Sequence, residues 1–109
     1  MMKEGLYKIE FHTSQGRGRG IIYATGGKLR GGNSAFAFVG SYSVDGEEIL
    51  ARVTTTRHTE DPQFKPLFGT DVVTLVLRGA ANGNLIDFEG TALQLPSLPI
   101  KIVFSPLSD

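Results

Sequence analysis

Residues 16–32, "GRGRGIIYATGGKLRGG", contain seven glycines and four basic side chains in seventeen positions, and their role decides the fold. They do not form a Walker phosphate loop, because Gly27-Lys28 is followed by Leu29 and not by Ser or Thr. A dinucleotide-binding turn would need a third glycine and a helix after Gly18-x-Gly20, and neither is present. RNA-binding RGG segments are long and disordered, whereas apolar residues separate these glycines. We therefore predict a bent β-strand whose glycines allow close backbone approach.

The composition indicates one globular domain over residues 1–109. Hydrophobic residues make up 40% and charged residues 20% of the chain, proportions typical of a folded protein. Cysteine is absent, which excludes disulfides, thiolate metal sites and a cysteine nucleophile. The first residues, "MMKEGLYKIEFHT", contain no continuous apolar run. We therefore expect no signal peptide, no membrane span and a cytoplasmic location.

Alternation of apolar and polar residues with period two recurs along the chain, and helical periodicity does not occur. This pattern predicts about eight short strands, at 5–13, 19–25, 28–32, 34–42, 49–57, 71–79, 84–95 and 99–105. Short connections between so many strands favour an antiparallel meander that closes on itself. The predicted fold class is all-β, a single eight-stranded antiparallel up-and-down barrel.

Two connections have distinct signatures. Asp45-Gly46 is a strong hairpin signal, and we expect these two residues at the centre of a type I′ turn with positive φ at both. Residues 58–70, "HTEDPQFKPLFGT", contain two prolines and no alternation. They are predicted to form the one long loop.

The zero net charge conceals an asymmetry along the chain. Residues 1–32 contain six basic and two acidic groups, whereas the remainder contains five basic and nine acidic groups. A dipolar surface of this kind favours a protein partner or self-association. The alternative is that folding brings the two regions together and mixes their charges.

Two groups of residues contain side chains that occur in catalytic or metal sites. His12 and Ser14 could form a base and nucleophile pair, but no nucleophile elbow or oxyanion hole accompanies them. His58 lies near Glu60 and Asp61, yet a single local histidine is a weak metal signature. We therefore predict a non-enzymatic protein without cofactor or metal and without direct binding to nucleic acid.

Several stretches resemble the GrlR family, whose founding members are negative regulators of type III secretion gene expression. They are "MMKEGLYKIEF", "GRGRGIIYATGGKLRGGNSAFAFVGSYSVDGEEILARV" and "FGTDVVTLVLRG", which lie at residues 1–11, 16–53 and 68–79. The resemblance implies a small lipocalin-like (calycin-like) barrel with an apolar interior that forms a homodimer. It also implies inhibition by sequestering a protein partner, a helix-turn-helix transcriptional activator in the founding members.

In that family an acidic surface loop is implicated in contact with the partner. The matching positions here are Asp45, Glu47 and Glu48, which are thus the predicted protein-contact residues. The alternative is a solvated hairpin with no binding role.

A different hypothesis is that the barrel carries an apolar small molecule. Small residues predicted to face the interior, Gly18, Gly20, Ala35 and Ala37, would leave room for a ligand. Alternatively, the apolar side chains that would line such a cavity could fill the barrel as its core. The predicted lining residues are Tyr7, Ile9, Phe11, Phe36, Phe38 and Phe88.

Overall fold

The chain forms a closed β-barrel in a computed structural model that describes residues 2–63 and 70–109. Each strand pairs antiparallel with the next, and β1 also pairs with β8, so the sheet closes. The predicted all-β, eight-stranded antiparallel barrel is confirmed. Within the described residues there is no helix that could cross a membrane. The strands are β1 (Gly5–Thr13), β2 (Gly16–Thr25), β3 (Lys28–Gly32), β4 (Phe36–Asp45), β5 (Glu48–Arg57), β6 (Val72–Asn82), β7 (Leu85–Ala92) and β8 (Leu95–Ser108).

Every second residue of each strand faces the barrel interior, where the core lies. In β1 the buried positions Tyr7 and Ile9 alternate with the exposed Lys8 and Glu10, as period-two patterning requires. Aliphatic side chains from β5, β6 and β8 complete the core around two aromatic contacts. The Phe104 ring lies 5.5 Å from that of Tyr7 and 4.9 Å from that of Phe88, measured between centroids.

Several glycines of residues 16–32 lie close to a neighbouring strand or ring, whereas Gly26 and Gly27 form the β2–β3 turn with positive φ. A Cβ atom built on Gly31 would lie 1.9 Å from the carbonyl oxygen of Ile21 on the paired strand β2. One built on Gly18 would lie 2.4 Å from the Phe11 ring, and one on Gly20 would lie 2.5 Å from the Phe38 ring. These positions can therefore be occupied only by glycine without a shift of the neighbouring atoms.

The β4–β5 hairpin differs from the expected turn. Asp45 pairs with Glu48, so the two central residues are Gly46 and Glu47, one position later than predicted. Gly46 has φ of 65°, and Glu47 is not among the residues with positive φ. Positive φ at the first central residue alone is the pattern of a type II′ turn, so the expected type I′ turn is wrong.

The last two strands also differ from the prediction. The chain turns at residues 93–94, inside the stretch expected to form one strand over 84–95, and β8 begins at Leu95. Ala92 pairs with Leu95, whereas Thr91 pairs with Pro99, so residues 96–98 form a bulge. A bulge needs no complete ladder of hydrogen bonds, and proline is therefore tolerated there.

The barrel has two different ends, which we call the hairpin end and the loop end. The hairpin end contains the β2–β3, β4–β5 and β6–β7 turns together with residues 2–4 and 109. The N-terminal segment packs against this end: Met2 is buried, and the Glu4 carboxylate accepts hydrogen bonds from Thr25 and Gly26. The loop end contains the other four connections. Of the predicted loop 58–70, residues 64–69 lie outside the described residues.

Candidate functional site

The three predicted contact residues lie together at the hairpin end. Asp45 is the last residue of β4, Glu48 is the first residue of β5, and Glu47 lies in the turn between them. Asp45 and Glu47 are exposed and make no ion pair within the described residues. Glu48 is partly buried, and one of its carboxylate oxygens lies 2.8 Å from the Arg78 Nε atom. The turn thus presents two unpaired carboxylates and one paired carboxylate.

Asp87 enlarges this acidic group, and sequence reasoning missed it. In the sheet Glu48 pairs with Ala80, and Ala80 pairs with Asp87, so both acidic residues lie on the same outer row. Their strands are two apart, which corresponds to about 10 Å. The Asp87 carboxylate accepts a hydrogen bond from the Asn82 side chain at 3.0 Å. We call Asp45, Glu47, Glu48 and Asp87 the acidic surface.

The charge asymmetry of the sequence persists in the folded barrel. Strands β1, β2 and β3 are neighbours, because the strand order follows the chain. Their outward basic side chains, among them Arg17, Arg19, Lys28 and Arg30, therefore lie on one side. Only Arg19 of these four forms an ion pair within the described part of the chain, at 3.9 Å from Glu10. Strand β3 pairs with β4, so the basic strands adjoin the strand that ends at Asp45 of the acidic surface.

A cavity of about 180 Å³ opens in the barrel interior towards the loop end. Gln63 and Thr70, which precede and follow the undescribed residues 64–69, are among the lining residues. The walls are mainly apolar, with aromatic rings from β1, β4 and β8 and aliphatic side chains from β2, β5, β6 and β8. The rings of Phe11 and Phe38 stand perpendicular to each other with their centroids 5.9 Å apart.

The predicted lining residues divide into two groups. Ile9, Phe11, Phe36 and Phe38 line the cavity. Tyr7 and Phe88 lie elsewhere in the core, where both pack against Phe104. Burial raises the pKa of Tyr7, and the nearby Tyr42 adds to this effect. The Tyr7 hydroxyl donates a hydrogen bond to the carbonyl oxygen of Lys3.

The small residues expected to leave room for a ligand do so only in part. Rings of Phe11 and Phe38 occupy the space beside Gly18 and Gly20. Ala37 faces outward, because it alternates with Phe36 and Phe38, which line the cavity. The prediction that Ala37 is an interior residue is therefore wrong.

The loop end is held by polar contacts around Arg57 and Asn33. The Arg57 guanidinium lies 4.8 Å from the centre of the Phe36 ring, and its Nε atom donates to Asp71 at 2.8 Å. The Asn33 side-chain oxygen accepts hydrogen bonds from the backbone N–H groups of Ala35 and Phe36. Its side-chain nitrogen donates to the Arg19 carbonyl at 2.8 Å. These contacts fix the rim beside the cavity.

The histidines considered as catalytic or metal residues lie in different settings. His12 is exposed on the outer face of β1, next to the turn that contains Ser14. The His58 ring lies within hydrogen-bonding distance of the Thr59 hydroxyl (2.7 Å) and the Asn33 carbonyl (3.0 Å). No group of three His, Cys, Asp or Glu residues suited to a metal ion occurs in residues 2–63 and 70–109.

No protein-family model matches the chain, and no curated protein matches it either. The resemblance to the GrlR family therefore stays a prediction that rests on the sequence stretches quoted above. The acidic surface and the cavity are the two features from which a function can be argued.

Proposed function

We propose that this protein is a non-enzymatic regulatory binding protein of the cytoplasm, resembling the GrlR family. It acts as a homodimer that sequesters a protein partner, such as a helix-turn-helix transcriptional activator. The observation that carries the proposal is the projection of Asp45 and Glu47 from a tight hairpin turn, with no ion pair to either within the described residues. Unpaired carboxylates on a rigid hairpin suit a partner with a basic surface.

Asp87 strengthens this argument because it places a further negative charge on the adjoining outer face. Arg78 neutralises part of this charge through Glu48. Charged groups at the rim of an interface mainly accelerate association and make it dependent on salt. We therefore expect partner binding to weaken as ionic strength rises.

The test is a titration in solution with the helix-turn-helix activator domains encoded by the same organism. The double variant Glu47→Ala/Glu48→Ala should bind severalfold more weakly and show a smaller dependence on salt, because exposed charges contribute about 0.2–1 kcal/mol each. Its melting temperature should stay close to that of the wild type, since the Glu48–Arg78 pair is exposed to solvent. Glu60→Ala, which removes an exposed carboxylate at the loop end, is the matched control.

Two results would count against this proposal. If the double variant loses stability and affinity together, the hairpin is a structural element. If it binds as tightly as Glu60→Ala does, the acidic surface is not the contact site.

A second candidate function is the carriage of a small apolar molecule in the barrel. The cavity of about 180 Å³, with Ile9, Phe11, Phe36 and Phe38 in its walls, favours it. This function uses the loop end and not the acidic surface, so the two candidates can be tested separately.

A further inference from the structure

The cavity at the loop end has a size that limits its occupant. An engineered protein cavity of about 150 Å³ lined by aliphatic and aromatic side chains stays dry and binds benzene. The cavity described here has about 180 Å³. It would therefore accept a single-ring molecule slightly larger than benzene, whereas drug-sized ligands need roughly 300 Å³ or more.

The walls favour an aromatic occupant. Four phenylalanines, Phe11, Phe36, Phe38 and Phe104, contribute to the lining together with aliphatic side chains such as Ile100. The rings of Phe11 and Phe38 already stand edge to face with each other. Aromatic rings pack favourably in edge-to-face or offset geometry, with a gain beyond the area that they bury.

One of the polar wall residues is Thr55, on strand β5. Thr55 faces inward from β5 and pairs with Phe38 on β4 and Val73 on β6. It precedes the rim residue Arg57 by two positions along the same strand. Within the described residues, the Thr55 hydroxyl makes no hydrogen bond. Its neighbour Thr54 faces outward and shares a hydrogen bond with Thr74 at 3.0 Å.

The other polar residues that line the cavity lie in or next to the connections at the loop end; they are Arg17, Asn33, Gln63 and Thr70. The Asn33 side chain makes three hydrogen bonds with backbone groups, and Arg57 is bound to Asp71. Thr55 is partly buried, and a polar group among apolar walls orients a ligand that can form a hydrogen bond to it.

We propose that the cavity binds a monocyclic phenol, with its ring against Phe11, Phe36 and Phe38 and its hydroxyl hydrogen-bonded to Thr55. This inference rests on the ligand-carrying function and deepens it by naming the class of ligand. It does not depend on the acidic surface at the opposite end of the barrel.

The experiment measures binding of p-cresol and toluene to the whole chain by NMR titration. Both probes should bind to the wild type, with intermolecular NOEs to Phe38 and Ile100. Thr55→Val keeps the shape of the side chain and removes the hydroxyl. It should weaken p-cresol binding about fivefold or more, the loss expected when a buried hydroxyl is left without a partner, and leave toluene binding unchanged.

Thr54→Val is the matched control, because it removes the neighbouring hydroxyl on the outer face of the same strand. It should change the affinity for neither probe. Circular dichroism of both variants establishes that each is folded before affinities are compared.

Three results would overturn the proposal at different points. If neither probe binds to the wild type at millimolar concentration, the cavity is not a ligand site and the carrier function fails with it. If both probes bind and Thr55→Val weakens them equally or not at all, the carrier function stands and the phenol assignment fails. If NOEs place the probes outside the barrel, the site itself is wrong.

Discussion

At the scale of single residues, two glycines differ in what they pack against. Gly31 packs against the backbone of a paired strand, whereas Gly18 packs against a side-chain ring that can move. A Cβ atom at Gly31 would lie 1.9 Å from a backbone oxygen of β2, which cannot move without breaking the strand pairing. A Cβ atom at Gly18 would meet the far edge of the Phe11 ring, which borders the cavity. Added atoms in a packed interior cost about 1–3 kcal/mol, depending on whether the neighbours can adjust.

We therefore expect Gly31→Ala to lower the free energy of unfolding by about 3 kcal/mol and Gly18→Ala by about 1 kcal/mol. Urea denaturation of the two variants measures the difference. In Gly18→Ala the Phe11 ring should move into the cavity and reduce its volume. Equal losses for the two variants would contradict the packing described for Phe11.

Ionisation of Tyr7 makes the free energy of unfolding depend on pH in the alkaline range. Burial raises the pKa of Tyr7 in the folded protein, whereas an unfolded tyrosine ionises near pH 10. A raised folded pKa means that the contribution of Tyr7 to stability is complete below about pH 10. That contribution is lost as the pH rises from there through the folded value, because only the unfolded chain ionises readily.

We expect the free energy of unfolding to decrease above about pH 10, and to decrease less steeply in Tyr7→Phe. Urea denaturation from about pH 8 to about pH 11 measures the two slopes. Tyr23→Phe, at an exposed position on the outer face of β2, is the control and should keep the slope of the wild type. A wild-type slope in Tyr7→Phe would show that other groups cause the alkaline loss.

At the scale of secondary-structure elements, Asn33 forms the β3–β4 connection. Its side-chain oxygen accepts hydrogen bonds from Ala35 N–H at 3.0 Å and from Phe36 N–H at 2.9 Å. Its side-chain amide donates to Arg19 on β2. One side chain therefore holds the start of β4, from which Phe36 reaches the cavity.

We expect Asn33→Ala to reduce the free energy of unfolding by about 2 kcal/mol, because it leaves partly buried N–H groups without acceptors. Asn33→Asp keeps the acceptor oxygen and loses the donor, so its loss should be smaller. The measurement is again urea denaturation, with the neighbouring exposed Ser34→Ala as control. If Asn33→Ala matches Ser34→Ala, the connection is held mainly by backbone hydrogen bonds.

The strands were predictable from sequence where alternation and turn residues agree. The bounds 5–13 and 28–32 match β1 and β3, because apolar and polar residues alternate over 7–12 in β1, and β3 follows the glycine pair 26–27 and ends with the pair 31–32. The prediction failed at β7 and β8, because the chain turns at residues 93–94 and the predicted gap at residues 96–98 is a bulge within β8. Asp45 was misplaced by one residue in its turn because a two-residue loop accommodates glycine at either central position.

The candidate sites were predictable only in part, for a related reason. Asp45, Glu47 and Glu48 are neighbours in sequence, and one hairpin brings them together. Asp87 joins them only through the register of two further strand pairs, which a single sequence does not specify. Thr55 similarly becomes a cavity residue only once the barrel is closed, because the stagger of the strands sets which side chains meet.

At the scale of the whole molecule, the barrel separates its two candidate sites. The acidic surface lies at the hairpin end and the cavity opens at the loop end, because β4 begins with Phe36 and ends with Asp45. A ligand in the cavity therefore has no direct contact with a partner on the hairpin. Any coupling between the two sites would have to pass along the strands that join them, β4 and β5 among them.

Closure of the barrel also brings the two termini of the chain together. Lys3 and Asp109 form an ion pair at 3.4 Å, and both lie at the hairpin end. An affinity tag fused to either terminus would thus emerge at the same end as the acidic surface and crowd an incoming partner. Because the chain contains no cysteine, Ser14→Cys in the exposed β1–β2 turn would provide a single chemical handle at the opposite end. Protein immobilised through that handle would present the acidic surface to solution.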